Sequence, residues 1–472
     1  MNMLSLFNNF ANDFFEICKK IEGATIEFSI ENLSDECTKS FYSSFLNMLD
    51  KAYFNSNDRK KIYYSKAIVR REILTVVGYV NVTYHIYQNK NDNSCYCFIR
   101  DDVLNFKPYQ RISNEAEYKI IKYASENNMS QAARYAIKNV ILSRATISNK
   151  IRSYNGTLPI VYNKINNQRD ILYIEMDEIH VNMQKQVTKK GKFQNNKICP
   201  AAVVHEGHKE KFVKRKELFR QKNFATSTLS YKGLWHIIYD YVSNTYDIDK
   251  FKAIFISGDG ASGIKNFQNV FPNAIFVLDK FHYKKALKCI FKKNTDLIKL
   301  ADEYLRNDRI DDFKTLVNSM IKEYPTQKKA MKDKQKYILN NIEGIKNQNH
   351  KLYECPCSME GHISNKYARY ITSSPYGFSN KGLKNKLELL VSHANKDDIT
   401  FKDFLHFKYG KDEYKKIYDK YEKITNKYDH KGIFRKEYNP LPTPSSLPIF
   451  DRNIDNDKLL NLIKTRKEVY VY

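Results

Sequence analysis

The sequence predicts an α/β protein with a helical insertion in its core and a mostly helical region ahead of it. Three observations carry this. Between residue 170 and about residue 290, short apolar runs of strand length alternate with helical patterns. Residues 284–350 are Lys-rich and helical in pattern, with no strand signal. Residues 1–60 and 113–154 also read as helical, and between them Arg71–Gln88 alternates apolar and polar around Gly78, as a β-hairpin or a bent strand does.

With 472 residues, the chain has room for roughly three domains of about 150 residues. The pattern divides it into a helical region at 1–65, a hairpin region at 66–112, a helix-turn-helix-like region at 113–165, a core at 170–395 with an insertion near 284–354, and a helical or extended tail at 396–472. Lys and Arg number 79 against 53 acids, a formal net charge of +26. Such an excess points to a polyanion partner. A Lys- and Asn-rich composition set by an AT-rich genome fits it too. No run of 18 apolar residues occurs, so no membrane span is expected. The apolar N-terminus carries Asp13 and Glu16 and lacks a basic leader, so an amphipathic helix is expected rather than a signal peptide. The expected location is the bacterial cytoplasm, at the nucleoid. Eight cysteines include the pairs Cys95–Cys97 and Cys355–Cys357. Their spacing is tighter than the usual zinc knuckle, so reduced thiols are expected, with structural zinc as the alternative.

The helix-turn-helix reading rests on the segments starting at Ser130 and Ser143. It would set Ser143, Thr146, Asn149 and Lys150 against DNA. An ordinary helical hairpin is the alternative. In the core, strands are expected at Ile171–Met176, Val181–Val187, Ile198–His205, Phe251–Ser257 and Ala274–Leu278, with a helix at Tyr231–Tyr246.

Four acids stand out. In YIEMDEIHVNMQ (Tyr173–Gln184), the apolar parity flips after Asp177–Glu178, which predicts a bulge or sharp bend near Asp177. Asp259 follows an apolar run between two glycines, and Asp279 ends another run just before a helix. Ligands bind beyond the carboxyl ends of such strands, so the two would share one rim. Glu360 flanks a helical stripe of Met359, Ile363, Tyr367 and Tyr370 that could aim it at the same rim. Clustered carboxylates raise one another's pKa unless a cation neutralises them. Their oxygens suit Mg²⁺ or Mn²⁺, and two such ions can serve both oxygens of a phosphodiester displacement.

The stretches IEMDEIHVNMQ, LWHIIYDYV, ISGDGASGIK, FVLDKFHYKK, and SMEGHIS followed by SSPYGFS occur in one order over about residues 170–380. In these the chain resembles the ISLre-type bacterial insertion-sequence transposases, relatives of the Mutator-like group. The resemblance implies a ribonuclease-H-like mixed sheet and a D-D-E set of Asp177, Asp259 and Glu360 holding two Mg²⁺ or Mn²⁺ ions. It also implies an auxiliary Asp-x-x-His motif at Asp279 and His282, and a dimer or higher oligomer on terminal inverted repeats and target DNA. Lys280, Lys284 and Lys285 would then meet the phosphate backbone. Ile179, Gly263, Ser374 and Phe378 depart from residues common in that family. The activity expected is DNA strand cleavage and strand transfer. The alternatives are a nuclease or resolvase without joining, and a DNA-binding relic without catalysis. RNA binding ranks below them, since no aromatic platform motif occurs.

Overall fold

The structure, a computed structural model, describes residues 26–409 and Asn12, apart from residues 108, 155–162, 188–192, 210–216, 272, 373–376 and 398. The expected N-terminal amphipathic helix, Ser374 and the Pro/Ser stretch of the tail lie outside these. The chain divides into two compact units, one of Met1–Ala124, Met129–Gly156 and Thr400–Tyr472, the other of Ser125–Asn128 and Thr157–Ile399.

The first unit opens with helix α1 (Ile26–Asn55) and an antiparallel sheet of β1 (Tyr63–Thr75), β2 (Gly78–Asn89) and β3 (Cys95–Tyr96), in that order. Leu46 and Leu49 of α1 are buried with Val80, Val82 and Tyr84 of β2 in one cluster. The alternating stretch is thus a hairpin, closed by Thr75 opposite Gly78, and β1 begins at Tyr63, ahead of the expected Arg71. Gly78 takes φ +105°, which only glycine adopts freely. Helices α2 (Asn114–Glu126), α3 (Met129–Tyr135) and α4 (Arg144–Ser153) follow. The short turn expected between the last two is instead the connection 136–143, pinned by a bridge between Ile137 and Val140. Ile137, Val140 and Leu142 are buried there, so this connection contributes core residues of its own.

The second unit is built on a mixed five-stranded sheet. Its strands are β4 (Ile171–Val187), β5 (Phe193–His205), β6 (Lys222–Ala225), β7 (Ala253–Gly258) and β8 (Ala274–Leu278), in the order β6-β5-β4-β7-β8. β4 is antiparallel to β5 and parallel to β7; β5–β6 is antiparallel and β7–β8 parallel. The four-residue β6 carries too short a pattern to be read in sequence. Helices α5 (Tyr231–Thr245) and α6 (Lys280–Ile290) bury Leu234, Ile238, Tyr283 and Leu287 in one cluster with Leu172, Ile174 and Met176 of β4. The insertion is helical: α7 (Thr295–Arg306), α8 (Ile310–Glu323), α9 (Lys328–Asn340) and α10 (Ile342–Lys346). Then come α11 (Met359–His362) and, after a π-helical turn at Ile363–Ala368, α12 (Asn380–Ala394).

The bend expected at Asp177 does not exist. β4 pairs with β5 residue by residue from Tyr173 opposite His205 to Asn182 opposite Asn196, and its register shifts only between Asn182 and Gln186. The parity flip has another cause. The face of Leu172, Ile174 and Met176 is covered before the acids. Ile179, Val181 and Met183 lie on the opposite face and are buried after them. There the π-helical turn packs on β4, and Phe378 exchanges backbone hydrogen bonds with Asn182 and Gln184 at 3.1 and 3.0 Å. One straight strand covered on different faces over different lengths gives the pattern of a bulge.

The apolar stripe after Glu360 also differs. Met359, Ile363 and Tyr367 are buried, but the next buried residue is Ile371, with Tyr370 only half-buried. A π-helical turn widens the spiral, so the stripe continues at a spacing of four rather than three.

Candidate active site

Asp177 lies mid-way along β4, 8% exposed, and its Oδ1 accepts the Glu178 N–H at 2.8 Å. Burial pushes its carboxyl up to about 6, and the negative charges of Asp259 and Glu360 push the same way. Glu360 comes from the first turn of α11, exposed, 360 − 177 = 183 residues further on. His282 comes from the first turn of α6. The three offer one ligand atom each, all within 4.8 Å of one another.

Asp259 follows β7 directly. It does not join that close group among the described residues, but its charge acts on both Asp177 and His282. Its Oδ1 accepts the Ala261 N–H at 2.8 Å, and its carbonyl accepts the Tyr337 hydroxyl of α9 at 2.6 Å. Gly258 before it is needed for closeness: a Cβ there would meet the Met176 carbonyl oxygen at 2.7 Å. Only glycine lets β7 and β4 run so near each other at this rim.

Asp279 caps α6, and its carboxylate takes the Phe281 N–H at 3.2 Å and holds His282 Nδ1 at 2.8 Å. That hydrogen bond raises the His282 pKa, helped by the charges of Asp177, Asp279 and Asp259. With Nδ1 committed, Nε2 is the ring nitrogen free to act. Lys280, Lys284 and Lys285 are exposed along the same helix, beside a half-exposed Phe281.

Two tyrosines at the site had no local signal in sequence. The Tyr231 hydroxyl donates to Glu178 Oε1 at 2.9 Å. The other is Tyr337, 78 residues along the chain from Asp259. A tyrosine used for its hydroxyl looks in sequence like any core aromatic.

In the first unit, the Ser143 hydroxyl caps α4, accepting the Thr146 N–H at 3.0 Å and meeting the Thr146 hydroxyl at 2.9 Å. Lys150 pairs with Glu117 at 3.1 Å, so its charge is partly spent on helix packing. Asn149 stands exposed on the same helix. Cys95, Cys97, Cys199, Cys289 and Cys357 are free thiols. No helix among the described residues is long and apolar enough to cross a membrane.

The sequence pattern of the family described as "Uncharacterised protein family (UPF0236)" matches residues 21–404. Similar proteins are UPF0236 proteins of Caldanaerobacter subterraneus subsp. tengcongensis. One is 28% identical over 377 residues, covering 78% of this chain and 77% of its own length, and is named by four gene designations. Another is 26% identical over 406 residues, covering 84% of each chain, and is named by eleven. Among solved structures, the Drosophila P element transposase strand transfer complex is similar at 14% identity and a TM-score of 0.23, over 75% of this chain and 91% of that one. That score is too low to carry a fold assignment.

Proposed function

The chain belongs to the UPF0236 family, and we propose that it is a D-D-E DNA transposase on a ribonuclease-H-like core, of the ISLre type. The observation that carries this reading is the meeting of Asp177 and Glu360 across 183 residues, with Asp259 at the end of the adjoining strand. Three further facts support it. The acids sit on the first strand and directly after the fourth strand of a sheet ordered 3-2-1-4-5 within the unit, and on a helix after the insertion. The net charge is +26, as a DNA-backbone partner requires. Relatives named by four and by eleven gene designations in one organism fit a gene that copies itself.

The donor set fits a divalent cation. The hard carboxylate oxygens of Asp177 and Glu360 meet within 4.8 Å, and the more buried of the two, Asp177, is pushed up to about 6. Asp177, Asp259 and Glu360 would hold two Mg²⁺ or Mn²⁺ ions, which when bound supply Lewis acidity to the attacking and leaving oxygens. The rest falls to the chain's own groups. Asp279 fixes the ring of His282 and favours its protonated form, in which Nε2 can donate to a phosphate oxygen near the scissile bond. Tyr337 holds the backbone of Asp259 in place. Lys280, Lys284 and Lys285 meet the DNA backbone, and α4 contacts bases or phosphates through Asn149 and its neighbours. A dimer on paired ends follows from the resemblance. The test is Mg²⁺-dependent cleavage of labelled duplex carrying the element's ends. Wild type should nick at the end; Asp259→Ala and Glu360→Ala should bind the duplex and leave it intact. Equal cleavage by all three proteins would remove the assignment.

A further inference from the structure

Two residues before Asp177, on the same face of β4, a second carboxylate is buried. Glu175 is 1% exposed, in the interior of a sheet. A buried carboxylate persists only where its oxygens are matched by donors. Here all are accounted for. Oε2 accepts both the backbone N–H and the hydroxyl of Ser358, at 2.8 and 2.9 Å. Oε1 meets His205 Nε2 at 3.2 Å. The Gly207 N–H donates to His205 Nδ1 at 3.0 Å, so in the neutral ring the proton sits on Nε2 and points at Glu175. His205 is fully buried, opposite Tyr173 in the β4–β5 register, with its ring stacked on that tyrosine.

Cys355 stands close enough that Glu175, His205 and Cys355 have the outline of a metal site, their ligand atoms lying within 4.8 Å of one another. The hydrogen bonds argue otherwise. Both ring nitrogens of His205 are committed, and coordination through Nε2 would set the Nδ1 proton against the Gly207 N–H. Cys355 Sγ has its own contact, His208 Nε2 at 3.3 Å.

What the group does follows from where Ser358 sits. It is the residue just before α11, whose second residue is Glu360. The offsets match: 358 − 175 = 183 and 360 − 177 = 183. One pair is a buried hydrogen-bonded tie, and the other is the pair of acids proposed above. We infer that Glu175, held by His205, is a positioning residue that fixes the start of α11 on β4 and so sets the spacing between Asp177 and Glu360. This rests on the metal-site reading of those two acids. Partners of this kind around a metal typically carry 10–100-fold of metal affinity or activity.

The experiment counts bound Mn²⁺ by loss of the free-ion electron paramagnetic resonance signal. It compares the full-length wild type, Glu175→Gln, Ser358→Ala, the double variant and Glu360→Ala, with thermal melts alongside. Glu175→Gln should weaken Mn²⁺ binding about 10-fold or more. Ser358→Ala, which keeps the backbone donor and so the fold, should weaken it less. The double variant should be no worse than Glu175→Gln alone, because both changes cut one link. High Mn²⁺ should restore DNA cleavage to Glu175→Gln and not to Glu360→Ala, a rescue that a general loss of folding would not give. Unchanged Mn²⁺ affinity in Glu175→Gln beside a wild type that binds would overturn the positioning role alone. Losses that simply add in the double variant would overturn it too, as would one equivalent of tightly held zinc released by Cys355→Ser. A wild type that binds no Mn²⁺ would remove the metal-site reading together with it.

Discussion

Two stretches of one strand treat their carboxylates in opposite ways. At Glu175 the fold surrounds the charge with three donors, and nothing is left for a ligand. At Asp177, two residues on, burial is nearly as deep, yet the described hydrogen bonding is a single contact from the next residue's N–H. Burial raises its pKa to about 6, with the charges of Asp259 and Glu360 adding to the rise. The same chain geometry thus yields one carboxylate matched by donors and one left largely unmatched. The difference lies in what α11 brings: a backbone N–H and a hydroxyl to the first, another acid to the second. A site that must receive a cation keeps its oxygens unmatched and bears the cost in the free protein.

The comparison breaks most visibly at the chemistry. Glu360→Ala or Asp177→Ala should lower DNA cleavage by three orders of magnitude or more, about 4 kcal/mol of transition-state stabilisation, with DNA binding retained in a gel-shift assay. Next comes the scaffold. Glu175→Ala leaves the buried His205 and the half-buried Ser358 with unmatched donors and should cost about 3 kcal/mol in urea unfolding.

The opposite sign is expected two residues on. The Asp177 pKa is raised from 3.8 to about 6 in the folded chain. Below 3.8 both states hold the proton and nothing is lost. Between 3.8 and about 6 only the unfolded state gives it up, so the free protein loses stability across that window and the loss is complete above it. Asp177→Asn should therefore stabilise the metal-free protein at pH 7 by about 2 kcal/mol, and should do nothing at pH 3, while abolishing cleavage. A variant no more stable than wild type at pH 7 would place the two carboxylates in one class. The smallest effect is at the surface. Lys284→Ala and Lys285→Ala should each reduce the slope of log affinity against log salt by about 0.9 on duplex DNA, with cleavage chemistry otherwise kept.

Much of the core was legible because its strands are short apolar runs with distinct ends. Ala274–Leu278 has the same bounds in the structure as in the pattern, and the helix at Tyr231 differs by one residue at its end. Asp259 was legible as a strand-end acid, Asp177 as an acid at a parity flip within a strand and Glu360 as an acid beside a helical stripe, and the structure brings Asp177 and Glu360 together with His282. What was not legible has a common physical root. The false bend at Asp177 arose because a sequence records which positions are buried and not by which layer. The shift from Tyr370 to Ile371 arose because a π-helical turn changes the period within one helix. Glu175 read as a polar-face residue of a half-buried strand. Its partners, Ser358 and His205, are remote in sequence, and a buried carboxylate is recognised only when its donors are seen.

The most direct test of the central claim, that these acids drive strand transfer, is joining. A labelled end with a pre-cut 3′-hydroxyl, offered with target DNA and Mg²⁺, should give a joined product with the wild type and none with Asp259→Ala. Cleavage of intact ends with no joining of pre-cut ones would contradict the transposase and leave a nuclease. Joining that survives in Asp259→Ala would take that acid out of the site.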